Sequence, residues 1–561
     1  MSLVLWGCAA NVGAKCFCLG GKVEISKSFE KQNYGVGCPG GVEVVAHSLR
    51  DTLQKFRNSN VALLKIDFRN AFNLIDRDTF IRAVSARFPS LERWTRWCYD
   101  SPPLLVYDHR HLFFSSCGVQ QGDPLGPLYF CCGLQALVDK ISDLEPLYQK
   151  WYMDDGGIVG PTELLLKAWD ILEREGPKIG LFLNPSKCEW SWLNPSSSCP
   201  CPIPGVQLVE TEKIQILGVP LGSDSFVSSF VHEHLLARTR NVTAKLIDFE
   251  DTQSALYVLR VSYSFVRAVH FMRTTPLHQW RSEAESFDEE VRKCLTGILR
   301  SPLPPQSYAQ ACVSTRLGGL GLRQTVAHAG AAFTASWFES GRTSGENWVR
   351  PQGCSEHYLP QTAASTEIDK ASLSLLLPQC SPRDAQRLKR LDCPHANAWI
   401  TALPSTEDSK DTILAPRTFR TAVSRLLGLP LSKPESPCPA CKQTMDVYGD
   451  HALCCRKTGD MITRHNIVRN WVYKVAEDGL LSPRMEKQGI LGPTDPTRRR
   501  PADVAIPVWS NGRGLAVDVA VVCPLAPSHL DEEEVGENYG VKLSLRNENG
   551  RRASMRNGKI V

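Results

Sequence analysis

Along residues 61–222, short apolar runs alternate with segments of helical spacing. The stretch 61–68 reads as a buried strand, apolar at Val61, Ala62, Leu63, Leu64 and Ile66 and broken by Lys65. Residues 111–115 read as a second strand, and 124–142 as a helix started by Pro124. Residues 150–160 read as a β-hairpin whose tip carries Asp154-Asp155-Gly156-Gly157. Further on, Phe230, Leu235, Val242 and Leu246, then Leu256, Val258, Leu259 and Val266, fall on helix-like spacings, so 231–300 is expected to be helical. Residues 340–435 are rich in Ser, Pro, Thr and Gln and read as a connecting region with a few helices. After Pro434 come a Cys/His cluster and two strand-like runs, 502–507 and 515–522. No fixed-period repeat runs through the chain, which excludes solenoids and propellers.

Length and composition add bounds but little chemistry. At about 100–200 residues per domain, 561 residues imply several units. Hydrophobic residues make up 42% and charged ones 22%, so wholesale disorder is excluded. The formal charge of +5 does not by itself announce nucleic acid. The most apolar stretch, 125–138, is broken by Gly126, Pro127, Gly133 and Gln135, and no run approaches the ~18 residues a spanning helix needs. The amino terminus lacks a basic leader and carries Lys15 within its apolar stretch, so a signal peptide is not expected. The expected protein is intracellular, with no membrane partner. Its 21 cysteines should then be reduced, grouped ones pointing to metal and scattered ones to small buried hydrophobes.

Acidic residues at strand ends carry the chemistry. Asp67 closes the first strand, and Asp154-Asp155 sits in the hairpin. Carboxylates converging at one rim of a sheet raise each other's pKa unless a divalent cation neutralises them. Two Mg²⁺ so held, roughly 3.5–4 Å apart, suit nucleotidyl transfer. Taken singly, an Asp-Asp-Gly is an ordinary hairpin turn and Asp67 could be a helix cap. Between them, however, lies Gly118-Val119-Gln120-Gln121-Gly122-Asp123-Pro124-Leu125-Gly126-Pro127. Its glycines let a backbone approach a ligand, and its glutamine can bond a base or a sugar. Behind them follow Gly180-Leu181-Phe182-Leu183-Asn184-Pro185-Ser186-Lys187 and Ile214-Gln215-Ile216-Leu217-Gly218.

In this order and spacing the motifs resemble the reverse transcriptases of non-long-terminal-repeat retrotransposons. Lys65-Ile66-Asp67-Phe68-Arg69-Asn70-Ala71-Phe72 is similar to the first aspartate motif, and Gln121-Gly122 to the segment that positions template and nucleotide. Tyr152-Met153-Asp154-Asp155 resembles the YxDD hairpin, 183–187 the motif whose lysine protonates pyrophosphate, and Leu217-Gly218 the primer grip. The resemblance implies an α+β right-hand polymerase, with partial fingers, palm and helical thumb. It implies that Asp67, Asp154 and Asp155 hold two Mg²⁺ (Mn²⁺ being the alternative), and that Lys187 is the general acid. It also implies that Phe68, Ala71, Phe72, Gln121 and Gly122 contact substrate. Phe72, five residues after Asp67, would block a 2′-hydroxyl and so favour dNTPs. The partners implied are an RNA template, a DNA primer or target DNA, and dNTPs.

Towards the carboxyl terminus, Cys438, Cys441, His451 and Cys455 form C-x₂-C-x₉-H-x₃-C, a spacing suited to tetrahedral Zn²⁺, with Cys454 competing for the fourth place. Beyond it come Arg464-His465-Asn466, Asp503 and Asp518, the last two with fourteen residues between them and each in or beside a short strand. Two such aspartates can share a divalent ion for phosphodiester hydrolysis; the plain alternative is an α/β tail with two strand aspartates. The combination resembles the zinc knuckle and restriction-enzyme-like endonuclease of site-specific elements, which prime copying from a nicked target. A lysine expected two residues after the second acid is replaced by Ala520, leaving Lys542 as the nearest substitute.

The organisation expected is residual fingers over 1–60, palm over 61–222 and helical thumb over 223–345. A linker over 346–433, a zinc-type module over 434–470 and a nuclease-like α/β tail over 471–561 would follow. Gln32-Asn33-Tyr34-Gly35-Val36-Gly37 is similar to the last fingers segment. The preceding fingers motif and an amino-terminal DNA-binding finger are not found, so the chain reads as trimmed at both ends. The function expected is RNA-directed DNA polymerase, and the alternative is a non-catalytic nucleic-acid-binding remnant. Nuclear action follows from the mechanism alone, since Arg498, Arg499 and Arg500 are too short an import signal.

Overall fold

A computed structural model describes residues 13–17, 22–29, 32–107, 111–197, 200–391, 397–402, 413–432, 436–486, 502–510, 513–521, 525, 541–546, 552–553, 555–556 and 559–560. Arg498, Arg499 and Arg500 lie outside the described residues. The chain forms two compact units of mixed helix and sheet: Met1–Arg240 with Arg267–Asp288 and Thr325–Ser365, and Asn241–Val266 with Glu289–Gln324 and Thr366–Val561.

The first unit is built on the run read at 61–68, which forms a strand over Ala62–Ile66 (β1). It is apolar almost throughout because both its faces are covered. Ala62, Leu64 and Ile66 point into one core and Val61 and Leu63 into another. The expected second strand pairs as His111–Phe114 (β3) with Leu104–Tyr107 (β2) in a separate hairpin. Tyr148–Tyr152 (β4), Asp155–Gly160 (β5), Glu189–Trp192 (β6) and Gln207–Leu208 (β7) complete a five-stranded sheet in the order β4-β5-β1-β6-β7. β1 runs antiparallel to β5 and β6, and β7 parallel to β6.

Helices cover both faces. Gly41–Lys55 (α1) presents Val44, Val45 and Leu49 to the Leu63 face, where Lys213–Ile216 (β8) and Val219–Gly222 (β9) add Ile214, Ile216, Val219 and Leu221. On the other face Arg77–Arg87 (α2), Pro89–Tyr99 (α3), Gly126–Ser142 (α4) and Thr162–Glu175 (α5) pack Phe80, Tyr99, Phe130, Leu134 and Leu172 against Leu64 and Ile66. α4 starts at Gly126 rather than at Pro124. Pro124 lies instead in a turn in which the Asp123 carboxylate accepts the Leu125 N–H (2.9 Å), and Pro127 occupies the helix's first turn.

The helical block does not remain with one unit. Ser223 accepts the Phe226 N–H and starts Asp224–Val231 (α6), in the first unit. Thr325–Ser344 (α7) lies along α1, where the buried His47 imidazole meets Ser336 Oγ (3.0 Å) and the rings of Phe333 and Trp337. Arg273 ties Glu43 of α1 to Glu339 of α7. The expected linker also begins inside the first unit, because Glu346 pairs with the buried Lys150 of β4 (2.8 Å).

The second unit holds Thr252–Val258, Pro305–Cys312, Pro382–Leu391 (α8) and Pro416–Leu426 (α9). Arg387 of α8 and Gln310 together satisfy the carbonyl of Leu426 at the end of α9. Its last part is a sheet of Arg484–Met485 (β10), Val504–Ser510 (β11), Arg513–Val521 (β12), Val541–Arg546 (β13) and Arg552–Ala553 (β14), antiparallel throughout. Asp460–Asp478 (α10) packs Val468 and Val472 on Val504, Val517 and Val519. The boundary expected between 470 and 471 therefore falls within a helix that belongs with the sheet. Lys542 lies in β13 directly opposite Ala520.

Candidate active site and metal centre

The hairpin differs from its expected form in a way that matters for the aspartates. Tyr152 pairs with Asp155, so the loop holds Met153 and Asp154 alone, while Gly156 and Gly157 are strand residues opposite Ile66 and Lys65. Gly156 is required by packing rather than by the turn: a Cβ there would lie 2.3 Å from the Trp151 ring. The left-handed position falls on Met153 (φ 56°). β1 ends at Ile66, opposite Gly156, so Asp67 leaves the strand at the end of the sheet where the Tyr152–Asp155 turn carries Asp154 and Asp155. Lys65, two residues before Asp67 and on the same strand face, donates to Glu189 (2.9 Å) and to the Gln215 carbonyl (3.1 Å).

The three carboxyl groups feel one another. Burial pushes the Asp154 carboxyl above its ordinary range, and the Asp67 charge adds to the shift. Asp155 is pushed up to about 6, by burial first and then by Asp154 and Asp67, with Lys65 pulling it down. Asn184 fixes Asp67 from the opposite side: its Nδ2 donates to Asp67 Oδ1 (3.0 Å), and its backbone N–H to the Asp67 carbonyl (2.9 Å). Lys187 follows in the same segment and is exposed.

The glycine-rich run is held from beneath. Tyr99 donates to Asp123 Oδ2 (2.6 Å) and accepts the Gln120 N–H (3.1 Å). The buried Arg77 bonds the carbonyls of Ser115, Cys117 and Gly118. Gly118 (φ 71°) is pressed against the backbone of Asn73, where a Cβ would come within 2.4 Å. Gln121 and Gly122 are left exposed.

The remaining expected contacts divide. Phe72 is half-buried and stacks on Phe130, ring centroids 4.4 Å apart. Phe68 and Ala71 are 5% and 3% exposed, and Phe68 stacks on Trp151. Both side chains pack into the core. The buried side of β1 and of the Ala71–Leu74 helix continues through both positions. Asn33, Tyr99 and Asn184 carry no signal in the sequence pattern, because each acts through hydrogen bonds to a distant carboxylate or backbone group.

In the second unit Cys438, Cys441, His451 and Cys455 bring one ligand atom each within 4.8 Å of the others, and they are the one group of this kind among the described residues. Cys438 and Cys455 sulfurs are 3.8 Å apart, and Cys441 Sγ lies 3.2 Å from His451 Nε2. Tetrahedral ligands at ~2.1–2.3 Å from Zn²⁺ are separated by roughly 3.5–3.8 Å, so the set fits. The backbone N–H groups of Cys441 and Ala440 hold the Cys438 thiol down at about 6, as a thiolate ligand requires. Cys455 rather than Cys454 joins the set. Asp446 shapes the loop that delivers the histidine, accepting the N–H groups of Tyr448, Asp450 and His451.

In the tail, Asp503 Oδ2 accepts the Val519 N–H (2.7 Å), and Oδ1 lies 3.2 Å from His465 Nε2. Asp518 sits in β12 between Val517 and Val519, which face α10, so alternation turns it to the other side of the strand. Asp503 is thus engaged with His465 and with the backbone of Val517 and Val519, the two neighbours of Asp518 in β12.

Residues 29–221 match the family described as reverse transcriptase (RNA-dependent DNA polymerase). Over 315 residues the chain is 23% identical to the retrotransposable element SLACS 132 kDa protein of Trypanosoma brucei gambiense. That alignment covers 53% of this chain and 25% of the relative, so the chain spans about a quarter of the relative's length. Among solved structures it is similar to telomerase from Candida albicans, at 12% identity and TM-score 0.35, covering 71% of this chain and 58% of that one. Telomerase from Candida tropicalis gives 12% identity and TM-score 0.34, covering 68% and 61%. Among the described residues no helix is long and apolar enough to cross a membrane. The segment 29–221 that matches this family carries the aspartates at the β1–β5 end of the sheet.

Proposed function

We propose that the chain is an RNA-directed DNA polymerase of a retrotransposon, adding dNTPs to a primer 3′-hydroxyl on an RNA template. The observation that carries this is the register that brings Asp67 to the end of the sheet where the hairpin turn holds Asp154 and Asp155, close enough for its charge to act on both. Two of the three carboxyl groups are raised by burial and mutual repulsion, which is the donor set a hard divalent cation relieves. Asp67, Asp154 and Asp155 would hold Mg²⁺, or Mn²⁺ in its place, which when bound supplies Lewis-acid stabilisation of phosphate oxygens.

The chain's own residues do the rest. Asn184 fixes the rotamer of Asp67, and Lys65 offsets part of the negative charge without entering the triad. Exposed Gln121 and Gly122 offer an amide side chain and a bare backbone to the incoming nucleotide. Phe72, braced on Phe130, is a fixed wall suited to excluding a 2′-hydroxyl. Lys187, exposed three residues after Asn184, would give a proton to the departing pyrophosphate.

Cys438, Cys441, His451 and Cys455 would bind Zn²⁺ in a knuckle. Asp503 and Asp518 are the residues of a target-nicking nuclease in the fullest form of this reading, which would also place the protein in the nucleus. The test of the polymerase is primer extension on an RNA template in Mg²⁺. Wild type should incorporate dNTPs, and Asp154→Asn should lower incorporation by at least about 10³-fold, since a transition-state contact is lost. Equal extension by Asp154→Asn would dismiss the assignment.

A further inference from the structure

The turn that carries Asp154 and Asp155 is not held by its own hairpin. Its first residue, Met153, is a non-glycine in the left-handed region. With Tyr152 paired to Asp155, the Met153 N–H and C=O have no partner across the ladder. Both are met by one side chain from far upstream. Asn33 Oδ1 accepts the Met153 N–H (3.1 Å), and Asn33 Nδ2 donates to the Met153 carbonyl (3.3 Å). Asn33 is 2% exposed. Its Oδ1 also accepts the Gly35 N–H (3.1 Å), which fixes its rotamer.

The neighbouring backbone follows β4. The Trp151 N–H donates to the Gln32 carbonyl and the Tyr34 N–H to the Trp151 carbonyl, each at 2.8 Å. Gly35 presses on the same residue: a Cβ there would lie 2.5 Å from Met153 Cγ and 2.6 Å from Met153 N. A carboxamide is the one short side chain that offers an acceptor and a donor side by side, matching a peptide N–H and C=O together. Asp would lack the donor and Ser the reach.

We infer that Asn33, backed by Gly35, is a positioning residue of the polymerase site: it clamps both backbone groups of Met153 and so aims Asp154 and Asp155. This rests on the polymerase reading above, since it assigns a role within that site. An error of about 1 Å in such a site can cost on the order of 10²-fold in rate. The clamp therefore acts on turnover and metal response more than on dNTP capture.

The experiment compares full-length wild type, Asn33→Ala, Asn33→Asp and Gly35→Ala in primer extension over a Mg²⁺ titration, with amide hydrogen exchange at Met153 read alongside. Each variant should lower kcat by about 10- to 100-fold, raise the Mg²⁺ concentration for half-activation and leave KM for dNTP within about threefold. Exchange at Met153 should speed up in Asn33→Ala. Unchanged Mg²⁺ response and unchanged Met153 exchange would overturn the clamp, whatever happens to thermal stability. Should Asn33→Ala fail to fold, the isosteric Asn33→Asp, which keeps the acceptor for the Met153 N–H and loses the donor to its carbonyl, carries the kcat and Mg²⁺ comparison, and Gly35→Ala carries the exchange comparison. If wild type itself does not extend a primer, the polymerase reading fails, and Met153 exchange alone still decides the clamp.

Discussion

Asp155 is linked to pH through a definite sign. Its carboxyl is raised to about 6 in the folded chain, against ~3.9 when unfolded. A raised acid contributes stability below its unfolded pKa and loses it as pH rises through the folded value. The metal-free site should therefore weaken the fold between about pH 4 and pH 6, and Mg²⁺ should restore what is lost. A Mg²⁺-dependent rise in Tm is expected above pH 6 and should vanish near pH 4; an increment constant across that range would contradict it. The aspartates were legible because they stand at the ends of apolar runs. Their supports were not: Asn184, Tyr99 and Asn33 act through a few hydrogen bonds each, to one carboxylate or to backbone, and nothing in their spacing sets them apart. Phe68, one residue after Asp67, has its ring in the core.

Among the elements, strands and helices with a strong period were read correctly in kind and less so at their ends. β1 was visible as an apolar run because it is covered on both faces. The hairpin tip was misplaced because two glycines look like turn residues, whereas Gly156 makes room for Trp151. α10 went unread because its buried side is narrow. Val468 and Val472 face the sheet, while Ile467, Trp471 and Val475 are exposed. The Cys/His cluster was legible from spacing alone, and the fold selects the fourth ligand by presenting Cys455. Full-length protein should carry one Zn²⁺ per chain. Cys438→Ser should abolish the stoichiometric metal, because a structural site needs its four ligands. Full metal content in that variant, measured by atomic emission, would dismiss the knuckle.

Over the whole molecule the chain order misleads. The linear reading of fingers, palm, thumb, linker and tail does not anticipate that 267–288 and 325–365 return to the first unit. That return is made by long-range polar contacts, His47 with Ser336 and Arg273 with Glu43 and Glu339, which no local pattern reveals. At this scale the question is whether one chain both opens a target and copies into it. If it does, duplex DNA should be nicked by wild type and not by Asp503→Ala; nicking that survives the substitution would remove the tail from that role.

The central claim rests on the carboxylate rim of the palm sheet, and one measurement reaches it directly: single-turnover primer extension by the full chain on an RNA template. The account expects labelled dNTPs to be added in Mg²⁺, extension to stop on chelation, and Asp154→Asn to leave the primer unextended. A wild-type chain that binds the primed template yet adds no nucleotide in Mg²⁺ or Mn²⁺ would contradict it.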